Sequence, residues 1–452
     1  MSDSLNLDYK KIILPNGVKC ILYRRSEIHS ISISVEVQTG SLDEDRKTSG
    51  ISHMLEHVTF DGTRDFKTWE ELDRFRNSIS GSSNASTNYE ETDYYGTFPS
   101  KYYDEALYYL SQVSLHPTIT EEAITKERTI ILDEMKRYED SVDHQVFRNV
   151  VENRFENNEN TFVYDIIGFE DNLNSFKHVD LKKYFDEHYT PDNIEIYIVG
   201  NFDLDKIEAS LNKYFYEDIK DRTNKKPERK FKTNFPAYSD FKVHARQKLD
   251  LDQYYLTITF PSLDFASTKT VPRILIDYVE DVTASSQFFQ SVLWKKLREE
   301  LGMVYGVSAW TSSFYYRAYT SIETSFKPQY LEKVLEEIYK GINLIREGKV
   351  SDEVFKSKQK RVLDSQPMRL DNPMVALNWI NYIEDEKEEH NFDLNLDSYL
   401  KINSEFKFEE AIKLSNEVFD WSKVNIGIVS KDNTKEIEDK VKAMWDKIIN
   451  EK

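Results

Sequence analysis

With 452 residues, 39% hydrophobic and 31% charged, the chain is too long for one ordinary core and has the balance of a soluble globular protein of roughly two to four domains. Its net charge of −20 argues against nucleic acid or an anionic membrane as main partner; it would suit a cationic peptide, although a solvated acidic surface accounts for most of it. A single cysteine, Cys20, excludes an internal disulfide, and with neither a signal-like N-terminus nor a stretch long enough to span a membrane the expected address is cytoplasmic.

In chain order, residues 12–23 read as a hairpin turning at Pro15-Asn16-Gly17. Ile31, Ile33, Val35 and Val37 alternate with Ser32, Ser34 and Glu36, the pattern of a strand with one buried face. Ile51, Met54, Leu55 and Val58 give the apolar side of a helix, entered at Gly50 with Ser49 or Ser52 as cap and stopped by Asp61-Gly62-Thr63. Trp69, Leu72, Phe75 and Ile79 continue at helical spacing. A polar stretch over 81–87 then leads to the aromatic run Tyr94-Tyr95-Gly96-Thr97-Phe98.

Helices are expected near 101–115, 120–140 and 141–157, then a loop around Gly168 and Asn172, a strand over Ile194–Val199 and a helix carrying Leu204, Ile207, Leu211 and Phe215. Residues 1–216 thus form an N-terminal domain, and 217–246, rich in charge without a period, read as a linker. Residues 247–452 replay the first half: Tyr255–Phe260 stands for Ile31–Val37, helices fit 328–347 and 351–365, and Val424–Val429 with a helix over 433–448 stands for Ile194–Phe215, at an offset near 224–230 residues.

The densest chemistry lies in His53-x-x-Glu56-His57. Positions i and i+4 share a helix face, so both imidazoles can reach one ion, while Glu56 is placed to touch water bound to it. Two surface histidines on an amphipathic helix need no metal, but H-x-x-E-H is the inverted zinc-peptidase pattern, and only nine histidines occur in the whole chain. A zinc site needs a third protein ligand, a carboxylate or histidine from elsewhere. The matching helix of the second half, starting at Arg273, has no histidine, so only the first half can bind such a metal.

Gly50-x-x-His53-Met-Leu-Glu56-His57-x-x-Phe60-x-Gly62-Thr63 resembles the core motif of the M16 family of zinc peptidases. The likeness continues through Gly81–Ala85, Glu127 to Glu134, Tyr189–Asn193, Val199-Gly200 and Arg298–Gly306. The resemblance implies an α+β fold of two homologous α/β domains, each a mostly antiparallel sheet packed against helices. It implies one zinc ion per chain held by His53, His57 and Glu134, with Glu127 steadying a ligand and Glu56 as general base. It implies that Arg298 holds a substrate carbonyl and that Tyr305 stabilises the oxyanion.

Ser83, Asn84, Ala85 and Ser86 would lie on a sheet edge to which an extended peptide adds as a strand. An aromatic commonly follows Asn-Ala in such peptidases. Ser86 stands there instead, widening or polarising the pocket beside the scissile bond, so no relative's cleavage preference transfers directly. In the short branch of the family two chains close one chamber around a peptide or unfolded segment. This chain carries both the metal residues and the Arg298 and Tyr305 pair, so the resemblance implies a homodimer, with Arg298 and Tyr305 acting in trans, rather than an obligatory pair of unlike subunits. Two other roles fit the family: a noncatalytic partner or scaffold subunit, and a processing enzyme dedicated to a small secreted peptide.

Overall fold

The computed structural model describes residues 7–156, 161–223, 225–229 and 236–450. The chain forms two compact units. The first takes Met1–Arg137, Glu159–Asn234 and Pro367–Asp385; the second takes Tyr138–Asn158, Phe235–Gln366 and Glu386–Lys452.

The first unit holds a six-stranded sheet ordered β1-β2-β6-β3-β5-β4. Its strands are β1 (Lys10–Ile13), β2 (Lys19–Arg24), β3 (Ser30–Val37), β4 (Ser82–Thr87), β5 (Thr92–Pro99) and β6 (Ile194–Gly200). Every pair is antiparallel except β2 with β6. Ile31, Ile33, Val35 and Val37 sink into the core with Met54, Leu55, Val58, Leu107 and Leu110.

The expectation that β3 buries one face is corrected, because Ser32, Ser34 and Glu36 are buried too. A central strand needs cover on both sides, and the helix Pro373–His390 supplies part of it. Asn381 Nδ2 donates to both oxygens of Glu36 at 2.8 and 2.9 Å, and Glu384 accepts from Lys11 Nζ at 3.0 Å and from the Tyr9 hydroxyl. The return of 367–385 to the first sheet is why the units do not follow a simple cut of the sequence.

The second unit has a five-stranded sheet ordered β7-β11-β8-β10-β9. These are β7 (Val243–Gln247), β8 (Tyr254–Pro261), β9 (Val304–Ser313), β10 (Ala318–Phe326) and β11 (Asn425–Ser430). It repeats the order β2-β6-β3-β5-β4, down to the one parallel pair, here β7 with β11. The stretch read as linker therefore ends in a strand at 243–247.

One face of this sheet packs the helix Val142–Arg154, through a small apolar cluster of Val146 with Val429 and Leu251 and through polar contacts. Asn149 Nδ2 donates to His244 O at 3.1 Å, and Arg154 Nη1 donates to Lys423 O at 2.7 Å and Thr259 O at 3.2 Å. Gly427 makes the close approach possible, since a Cβ there would sit 2.0 Å from Asn149 Oδ1. The segment around Asn172, expected as loop, folds as the short helix Glu170–Ser175 and precedes the helix His178–His188.

Candidate metal centre

The helix Ile51–Val58 presents His53 and His57 side by side, their ring centroids 4.7 Å apart. Its start is built differently from the serine cap the sequence suggests. Gly50 sits at φ +94°, with Ile167 O only 2.7 Å from where a Cβ would be, so a side chain is excluded on both counts. The open N–H groups of Gly50 and Ser52 go instead to the two oxygens of buried Glu44, at 2.8 and 2.9 Å. Ser52 Oγ is engaged with Tyr184 Oη at 2.7 Å.

Glu134 comes from the helix Glu121–Asp140 and turns its carboxylate to both rings. Its Oε2 lies 3.6 Å from His57 Nε2 and 3.9 Å from His53 Nε2. Ligand atoms about 2.0–2.2 Å from a tetrahedral zinc stand about 3.3–3.6 Å apart, so the two distances to this oxygen are close to those such an ion needs, and all three ligand atoms lie within 4.8 Å of one another. Among the described residues these three are the one group of histidine, cysteine or acid that could hold a metal.

Protonation suits the ligand role at His53. Burial, and after it the charge on His57, drives the His53 pKa down to about 3, so this ring is neutral with a lone pair to give. Burial also works against a charge on His57, but the bond to Glu127 and the charges of Glu56, Glu127 and Glu134 outweigh it and raise its pKa. His57 Nδ1–H donates to Glu127 Oε2 at 2.9 Å, which fixes the tautomer and leaves Nε2 facing Glu134. Glu127 is buried, which raises its pKa, yet the His57 bond and neighbouring Lys126, 3.3 Å from Oε1, hold it below the usual carboxylate range.

Glu56 is not turned to the ligand atoms in the same way. Its Oε2 accepts from Thr87 Oγ1 at 2.7 Å, and its burial raises its pKa against the pull of that hydrogen bond. Thr87 ends β4, and sequence reasoning missed both it and Glu44. Ser83, Asn84, Ala85 and Ser86 lie on β4, the terminal strand of its sheet; Ala85 is buried in the core, Asn84 is exposed, and Ser83 Oγ lies 3.0 Å from Tyr109 Oη.

Arg298 and Tyr305 both belong to the second unit. Arg298 lies in a π-helical turn, Trp294–Glu300, with its guanidinium 4.6 Å from the Trp294 ring centroid and bonded to the Tyr305 carbonyl. Tyr305 is the second residue of the edge strand β9 and is 83% exposed.

A family model described as "Insulinase (Peptidase family M16)" matches residues 20–162, and one described as "Peptidase M16 inactive domain" matches residues 175–362. An uncharacterized zinc protease of Bacillus subtilis, YmxG, is 30% identical over 355 residues, 78% of this chain and 82% of its own length. The chain belongs to peptidase family M16. A mitochondrial-processing peptidase subunit beta of Blastocladiella emersonii is 29% identical over 190 residues, 42% of this M16 chain and 40% of its own. The same fold occurs in a solved protease from Helicobacter pylori, with a TM-score of 0.81 at 17% identity, covering 94% of this chain and all of the other. No helix among the described residues is long and apolar enough to cross a membrane.

Proposed function

We propose that the chain is a zinc-dependent endopeptidase that hydrolyses peptides or unfolded segments. The observation that carries this reading is the meeting of His53 Nε2, His57 Nε2 and Glu134 Oε2, with Glu56 on the same helix held by Thr87. His53, His57 and Glu134 would hold a zinc ion, which would supply polarisation of a scissile carbonyl and a lowered pKa for water. Glu56 takes the proton of the attacking water and returns it to the leaving amine; a carboxyl whose pKa is raised by burial is suited to both transfers. Glu127 keeps His57 in the tautomer that binds.

The substrate extends β4 as an added strand, backbone to backbone, along Ser83–Ser86. Such pairing is indifferent to side chains, so it suits peptides and unfolded segments. Two copies close a chamber, and Arg298 and Tyr305 of one protomer serve the zinc site of its partner: the guanidinium holds a substrate carbonyl and the phenol donates to the developing oxyanion. The exposure of Tyr305 supports a role outside its own unit.

The test combines metal analysis with cleavage of a fluorogenic peptide, with and without chelator, in the native protein and in Glu56→Gln. A protein without zinc, or one whose cleavage survives Glu56→Gln, ends the reading. Mixing Glu56→Gln chains with Tyr305→Phe chains tests the assembly: each is weak alone, and activity recovers in the mixture if the residues act in trans.

A further inference from the structure

The helix Ile51–Val58 ends in a turn that is pinned to the residues leading into the helix Glu121–Asp140. Asp61 N–H donates to Val58 O at 3.1 Å, Thr118 N–H donates to Gly62 O at 2.9 Å, and Thr63 forms a bridge with Pro117. The approach is too close for a side chain at Gly62, where a Cβ would lie 2.9 Å from Lys67 O. Asp61 is therefore held at a fixed place beside the second helix, and the proposed reaction gives it no part.

From this turn Asp61 Oδ1 accepts a hydrogen bond from Lys126 Nζ, and the same ammonium stands 3.3 Å from Glu127 Oε1. Glu127 Oε2 in turn accepts from His57 Nδ1 at 2.9 Å. One cation thus sits between two carboxylates whose side chains are 9% and 8% exposed, while its own is 47% exposed. Successive residues on a helix point about 100° apart, so Lys126 does not face Glu127 by helix geometry alone, and Asp61 draws it across. Burial drives the Asp61 pKa up, the bond from Lys126 pulls it back, and the charge of Glu127 adds to the rise, as befits two close carboxylates sharing one ammonium. Without that ammonium the two acids repel each other, and the strain falls on the bond between Glu127 and His57.

We infer that Lys126 and Asp61 are positioning residues of the metal centre: the pair holds Glu127 against His57 and cancels the repulsion that would turn it away. The inference rests on the zinc reading, and metal affinity tests it apart from cleavage. A cation this close to a divalent ion opposes it by repulsion, so a bystander lysine predicts tighter zinc binding once its charge is removed. A positioning lysine predicts the reverse.

Zinc dissociation constants of the full-length protein are measured by competition with a chelator, with urea unfolding as the control for folding. Lys126→Met should bind zinc about tenfold more weakly, and Lys126→Arg within about threefold of the native protein. Adding Asp61→Asn to Lys126→Met removes the repelling charge and should restore affinity to within about threefold of native, a rescue that a loosened fold would not give. Zinc bound as tightly or more tightly by Lys126→Met overturns the assignment, as does a double variant no stronger than Lys126→Met alone. If the variants follow the expected order and the protein cleaves no peptide, the peptidase reading fails and the positioning role stands; if the native protein binds no zinc, both fall.

Discussion

The two sheets share a strand order and one parallel pair, yet they differ at the terminal strand. Beside β4 in the first unit lies a helix bearing two histidines and a carboxylate; in the second unit the helix Thr270–Thr283 bears no histidine, and the π-helical turn with Arg298 leads into β9. The outer faces differ as well. Glu36 is covered by Asn381 in the first, and in the second the helix Val142–Arg154 lays Asn149 and Arg154 on backbone carbonyls. Strand pairing and core packing hold the repeat together with many interchangeable apolar residues. The proposed chemistry rests on a handful of side chains at one edge, so a copy can lack them and keep the fold.

The sharpest way to break this comparison is to alter the two corresponding helices. Glu56→Gln should lower peptide turnover by about 10³-fold or more with zinc content unchanged, because it removes a proton carrier and no ligand. Asp277→Asn on the helix Thr270–Thr283 should leave turnover within about twofold, since its side chain is half exposed and its ion pair among the described residues is a 3.6 Å contact with Lys358. Parallel kinetics and metal analysis read both. A large loss in Asp277→Asn would mean that the second copy takes part in the chemistry through this helix.

A step below, Glu127→Gln should weaken zinc binding by about 10–100-fold, measured by competition with a chelator, because the amide no longer fixes the His57 tautomer as a charge does. Smaller again is the effect of the helix entry. Glu44→Gln replaces two accepting oxygens by one and sets an NH2 group against a buried N–H, which should cost about 1–3 kcal/mol in urea unfolding. Unchanged stability would show that the two N–H groups find other partners.

These residues also mark what the sequence makes legible. His53, Glu56 and His57 are readable because helical spacing alone places them together, and Glu134 only through family likeness, since nothing local ties it to the histidines. Glu44 and Thr87 escape because their partners are set by tertiary folding: one closes a loop back onto a helix start, the other ends a polar strand. The helix Pro373–His390 shows no clean apolar stripe, for it buries Glu384 against Lys11 and Tyr9, and Glu386 against Arg273 and Thr270. The strand β7 hides among charges for the same reason: His244 and Arg246 meet Glu152, at 3.3 and 2.8 Å. Where burial is polar and paired, hydrophobic periodicity carries little signal.

The mildest expected effect compares the units through pH. Each contains a carboxyl raised by burial: Asp93 in the first, up to about 7 against the bond from Ser34, and Glu280 in the second, also up to about 7, with Asp277 adding to the effect. A carboxyl whose folded pKa exceeds its unfolded value holds more protons folded than unfolded. The stability it contributes is therefore complete below its ordinary pKa and is lost as pH rises through about 7. The buried neutral histidines, His53 at about 3 and His116 and His188 at about 4, act below pH 6.5 and in the opposite sense. In metal-free protein, stability should then fall from pH 6.5 to 8. Asp93→Asn, which keeps an acceptor for Ser34, should flatten that fall, and so should Glu280→Gln. If the units unfold in separate urea transitions, each substitution should flatten only the transition of its own unit; if both flatten a single transition equally, the two copies unfold as one cooperative body.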